Sequence, residues 1–314
     1  MKTARLMPLT LLVLLTLPSM GHAQDKGESE SENVLTLRVD GALSIDPQGK
    51  VLDYRITTKL DPAVEAMVRR AVPRWRFKPI LVDGKPAIAQ SPMRITLAAV
   101  EVEQGYQVKV DNVVFWPNTQ EEYEAQQASQ KAHPRMSVEG EAPAPLVWIT
   151  SKSMRPPKYP PDLQRSGVEG IVLLNVRLNP DGTVAEVFAA QSSLLNVKGS
   201  SGLLDRARAT LERNASAAAG RWKFEVDAED AASLKPSSLT VRVPVEYMLG
   251  TQAAGPEPLV GKWRHEFRGP NVTAPWLADD NTHEIGVSDL NSNEILAGGT
   301  PFALSDKGVI GTAL

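Results

Sequence analysis

Four histidines, at positions 22, 133, 265 and 283, are the residues of this chain best suited to holding a metal or moving a proton, and no two of them have ligand spacing. Cysteine is absent, which excludes a thiol nucleophile, a disulfide framework and a lipid-anchor cysteine. No Gly-x-Ser-x-Gly elbow, phosphate-cradling glycine loop or dinucleotide fingerprint occurs. Asp46 and Asp181 could act as a carboxylate acid or base, but each lies in a Pro-Gly turn, where aspartate usually bonds its own backbone. Trp75, Phe77, Trp222 and Phe224 could line an aromatic cage; an apolar pair at i, i+2 more commonly buries one face of a strand. These residues point to a protein that is not an enzyme and uses no metal or small-molecule cofactor. The formal net charge of −3 supplies no concentrated basic face for nucleic acid.

The aspartates and aromatics belong to a sentence written twice. Ile45-Asp-Pro-Gln-Gly-Lys-Val51 recurs as Leu178-Asn-Pro-Asp-Gly-Thr-Val184, and Arg74-Trp-Arg-Phe77 recurs as Arg221-Trp-Lys-Phe224, in the same order. Each copy reads as a hairpin, a helix and a final alternating strand, at Met93 to Val102 and Val241 to Leu249. The first helix starts at Asp61-Pro62 and places Val64, Met67, Val68, Ala71 and Val72 on one face. The second, with Leu204, Ala207, Leu211 and Ala215 on one face, is expected to be capped by Ser200 or Ser201. Val51 and Trp75 are 24 positions apart, Val184 and Trp222 38, so the second copy carries a 14-residue insertion.

Lys2 and Arg5, an apolar run from Leu6 to Leu17 and the exit Gly21-His22-Ala23 have the layout of a secretory signal peptide, residues 1–23, which predicts the periplasm. Its removal moves the formal net charge from −3 to −5. The remaining divisions are a flexible leader at 24–33, a first module at 34–116, a Gln/Glu/Pro-rich linker at 117–153, a second module at 154–250 and a loosely ordered extension at 251–314.

The series Tyr159-Pro160, Gly167-Val-Glu-Gly170, Asn179-Pro180-Asp181-Gly182-Thr-Val184, a helix over 203–213, Arg221-Trp222-Lys-Phe224 and a last alternating strand resembles the C-terminal domain of TonB, over residues 159–249. Residues 34–102 look like a degenerate copy without the Tyr-Pro opening. The resemblance implies an α+β fold of two tandem small TonB C-terminal-like modules, in which Asn179 to Gly182, Trp222, Phe224, Trp75 and Phe77 are structural. It also implies an open edge made by Leu239, Val241, Arg242, Val243, Val245 and Tyr247, flanked by Arg155, Lys158 and Tyr159. An extended segment of a TonB-dependent outer-membrane receptor, or of another envelope protein, would add there as a strand. Two other readings stay open: an envelope scaffold whose modules pair with each other or in a homodimer, and an inner-membrane-anchored energy transducer if the N-terminus is retained.

Overall fold

The computed structural model describes residues 31–82, 84–115, 147–228, 230–249, 260–278, 285–290, 295–297 and 304–314. The expected signal peptide, leader residues 24–30, residue 116 at the end of the expected first module and linker residues 117–146 lie outside the described residues.

Each hairpin closes on a turn glycine. Between β1 (Glu32–Ile45) and β2 (Val51–Ile56), the Asp46 carboxylate accepts from the amides of Gln48 at 2.9 Å and Lys50 at 2.8 Å, and Gly49 takes φ 77°. Between β8 (Glu169–Leu178) and β9 (Val184–Leu195), Gly182 takes φ 80° and Asp181 accepts from the Thr183 amide at 2.9 Å. The Thr183 hydroxyl and amide bonds hold the Asp181 carboxyl below its ordinary range. Both aspartates therefore serve their own turns. Each glycine carbonyl then accepts the amide of the phenylalanine in the Trp-x-Phe word, Phe77 to Gly49 at 2.8 Å and Phe224 to Gly182 at 2.9 Å. A Cβ would sit 1.9 Å from the Phe77 oxygen at Gly49 and 2.1 Å from the Phe224 oxygen at Gly182, so the approach admits only glycine.

Helix α1 (Pro62–Ala71) begins where Asp61 accepts from the Ala63 amide at 2.8 Å, and it buries Val64 and Val68. A short α2 (Pro161–Arg165) precedes β8. Helix α3 (Ser201–Ala219) is 19 residues long against 10 for α1, and β9 is 12 against 6 for β2, which accounts for the wider spacing of Val184 and Trp222. Ser200 holds the N-cap position of α3 without a side-chain bond. Two aromatic pairs go to two cores: Trp75 and Phe77 join Leu37, Val68 and Ile95, while Trp222 and Phe224 join Leu174, Leu211 and Val243.

The remaining strands are β3 (Ile80–Val82), β4 (Lys85–Ala87), β5 (Ala89–Val102), β6 (Gly105–Phe115), β7 (Trp148–Ser153), β10 (Lys223–Asp227), β11 (Thr240–Tyr247), β12 (Arg264–Arg268) and β13 (Leu296–Ala297). Strands β3 and β4 form a small hairpin. The mixed architecture has few helices and antiparallel ladders throughout. Its main sheet has nine strands among the described residues, in the order β13-β11-β8-β9-β12-β1-β5-β6, with β2 on β1.

Two expectations about the connecting segments are corrected. The composition of residues 251–314 predicts loose order, yet Arg264–Arg268 sits mid-sheet, pairing β1 on one side and β9 on the other. The tail also reaches both ends of the sheet. At one end β13 pairs with β11; at the other, Gly311 donates to the Val110 carbonyl at 2.7 Å and Leu314 to Val108 at 2.9 Å along the outside of β6. The end of the expected linker is also ordered, since β7 pairs with β10 in a separate two-stranded sheet.

The register puts Leu37, Val39 and Phe267 on the face covered by α1 and α3. On the opposite face it gathers Thr36 and Arg38 of β1, Arg94 and Thr96 of β5, Asn112 of β6, and Arg264, Glu266 and Arg268 of β12. Residues 285–290 cover these groups: Arg38 donates to the Ser288 carbonyl, Arg94 donates to that of Asp289 at 2.8 Å, and the Asp289 carboxylate accepts from Asn112 at 2.6 Å. Arg268 forks onto Asp111 at 2.6 and 3.0 Å and reaches Glu32 at 2.7 Å.

Candidate partner-binding edge

Strand β11 reads Thr-Val-Arg-Val-Pro-Val-Glu-Tyr, and almost every residue in it is buried. One face feeds the second core through Val241, Val243, Val245 and Tyr247; Arg242, on the other face, is 7% exposed. Strand β8 pairs along the full length of β11, from Thr240 opposite Arg177 to Tyr247 opposite Gly170.

Which backbone groups look outward follows from one bond. Leu178 donates to the Leu239 carbonyl at 2.8 Å, so the odd-numbered residues of β11 bond β8 and the even-numbered ones turn away from it. Leu239, Val241, Val243, Val245 and Tyr247 therefore spend their backbone groups inside the sheet. Of the outward set, Arg242 lies opposite Leu296 of β13. Pro244 has no amide to offer, and Glu246 turns outward an amide and a carbonyl that have no partner strand among the described residues. The expectation of a fully open edge from Leu239 to Leu249 is thus corrected: β13 covers its first half, and a proline, a common device for blunting edges, sits in its second.

The flanking residues are positioned unequally. The Tyr159 ring meets that of Tyr247 edge-on at 5.4 Å, and its hydroxyl donates to the Val168 carbonyl. Burial, helped by the Glu169 charge, pushes the Tyr159 phenol up to about 12. Burial also raises the Tyr247 phenol, which donates to Asn214 at 2.7 Å. Tyr159 and Tyr247 are therefore neutral, apolar-bodied supports of the strand end. Arg155 contributes its carbonyl, which accepts from the Trp222 indole at 2.9 Å, and Lys158 is exposed. Outside the strand, the Trp276 indole donates to the Thr240 hydroxyl at 3.0 Å with the Arg177 guanidinium 5.6 Å over its ring. The sequence reading missed Trp276 and β13, because both belong to short apolar words without periodicity.

The described residues include no cluster of three His, Asp or Glu side chains able to hold a metal, and no helix long and apolar enough to cross a membrane. Residues 155–249 match the family described as the Gram-negative bacterial TonB protein C-terminal. Two curated relatives, each called Protein TonB, from two strains of Xanthomonas campestris pv. campestris, are 40% identical to the chain over 106 residues. That stretch is 33% of this chain, and the chain spans 39% of the length of these relatives. No solved structure matches the chain.

Proposed function

We propose that this chain, which carries a TonB C-terminal domain at residues 155–249, is a non-enzymatic TonB-like protein of the periplasm. In this reading it binds an extended segment of a TonB-dependent outer-membrane receptor, or of another envelope partner, by strand addition at β11. The observation that carries the reading is the outer edge of β11 within the matched region, which β13 covers at Val241 and Arg242 and no strand among the described residues covers at Pro244 and Glu246, supported at its end by Tyr159 and Tyr247. A ligand strand entering there gains only a few main-chain bonds, each contributing roughly 0.5–1.5 kcal/mol, so its affinity is modest unless it also displaces β13.

Residues 34–116 are, on the same reading, a degenerate second copy; the matched bonds from Phe77 to Gly49 and from Phe224 to Gly182 support it. The test of the binding site is Glu246→Pro, which deletes an outward amide and leaves the β8 ladder intact. Binding of a peptide from the N-terminal plug region of a receptor should weaken at least ~10-fold, as expected when a central ladder bond is lost. Unchanged binding with an unchanged melting temperature would sink the proposal.

One observation favours a second reading, an envelope scaffold: the same C-terminal tail pairs with the first half of β11 at one end of the sheet and runs along β6 at the other. Amide exchange separates the two, since a scaffold shows no added protection at Glu246 when peptide is supplied.

A further inference from the structure

With β11 covered in its first half and interrupted by Pro244 in its second, and β6 covered by the tail, the barest edge of the sheet is that of β2, which pairs with β1 and with no other strand among the described residues. Thr57 donates to the Asp40 carbonyl at 2.9 Å, so alternation directs Arg55 and Asp53 toward β1 and leaves the amides and carbonyls of Tyr54 and Ile56 facing outward. The Tyr54 hydroxyl donates to the Arg69 carbonyl at 3.1 Å, which fixes the strand against α1 from below. Leu52, the bulge residue of the hairpin, is 59% exposed beside it.

We propose that β2 is a self-pairing edge, through which two copies of this chain join antiparallel about a twofold axis at Tyr54. The charge pattern argues for a second copy over other occupants. Exposed edges are commonly blunted by like charges, which repel in any self-pairing. Here the charges are opposite and flank the axis. Antiparallel pairing centred on Tyr54 sets Asp53 directly opposite Arg55 of the partner subunit, and Arg55 opposite Asp53 of the partner subunit, in the non-hydrogen-bonded positions where side chains approach most closely. The same register places Leu52 against Ile56 of the partner subunit. Both charged side chains are exposed, and neither hydrogen-bonds or ion-pairs within its own chain among the described residues, so both are available to a neighbour. The two-fold symmetry of such a contact closes it at two copies. The inference does not depend on the strand-addition reading of β11.

Sedimentation velocity on the full chain across a wide concentration range tests the contact. Wild type should dimerise reversibly. Asp53→Arg and Arg55→Asp, each of which puts like charges face to face, should weaken self-association about tenfold or more. An equimolar mixture of the two variants should regain it, because a chain with arginine at both positions then meets a chain with aspartate at both. A wild type that stays monomeric overturns the proposal, as does association that both variants leave unchanged. A mixture that fails to recover while each variant retains wild-type circular dichroism overturns the register.

Discussion

The Nε of Arg264 donates to Oε1 of Glu266 at 2.9 Å, two residues along a five-residue strand, at a point where Glu266 has no solvent exposure. Burial opposes the ionised carboxylate; the Arg264 charge, a hydrogen bond from Thr36 and the Arg268 charge outweigh it and hold the group at about 2 against an ordinary 4.5. Thr36 is on β1, so the pair also fastens β12 to the first half of the sheet.

Glu266→Ala should therefore destabilise the protein by about 3–5 kcal/mol, because the arginine is left buried and unpaired. A depressed carboxyl contributes stability that is complete above its unfolded value near 4.5 and lost as pH falls toward about 2. Asp289, whose carboxyl burial pushes up, works in the opposite sense, its protonation favouring the folded state as pH falls. Urea titrations should then show stability declining below about pH 4.5 in wild type, and a shallower decline in Glu266→Gln.

Gly49→Ala and Gly182→Ala each force a Cβ toward a phenylalanine carbonyl at a positive φ. Each should destabilise by about 2 kcal/mol or more, read by chemical denaturation, with effects that add because the two turns serve different cores. Equal stability of either variant would remove the close approach as the reason for glycine.

At the start of α1, Asp61→Ala should lose about 1 kcal/mol by removing the bond to the Ala63 amide. Ser200→Ala, at the same position of α3, should cost far less, since Ser200 makes no capping bond. Parallel thermal melts check the contrast.

Pro244→Thr restores an outward amide on β11. Binding of the receptor-derived peptide should tighten several-fold, and aggregation on concentration should increase, since an added donor improves the template for any passing strand. Light scattering and fluorescence anisotropy on the same sample measure both.

The local fold was legible where residues obey a short-range rule. Asp61-Pro62 marked α1, the two Pro-Gly words marked the hairpins, and the alternation of Val241, Val243 and Val245 marked β11. Strand β12 was not legible, because the face of it that residues 285–290 cover carries Arg264, Glu266 and Arg268, charges whose partners come into place only once the chain is folded. Such a strand shows no apolar alternation in sequence. The partial cover of β11 failed for a related reason: β13 has two residues, and its partner lies more than fifty positions away. Sequence reading recognises which segments want to be strands, but which edges remain free is a property of the finished sheet.

The placement of β12 has a kinetic side. Its partners on β1 precede it by more than two hundred residues, so neither half of the sheet can be completed until residue 268 has left the ribosome and found both neighbours. Closing so large a loop is a slow step, and until it happens the inner edges of β1 and β9 stand open to wrong pairings. A chain built this way is suited to completing its fold after synthesis. Refolding experiments should show each helix-bearing half gaining structure early, with a late, concentration-independent phase that reports the stitching of the sheet.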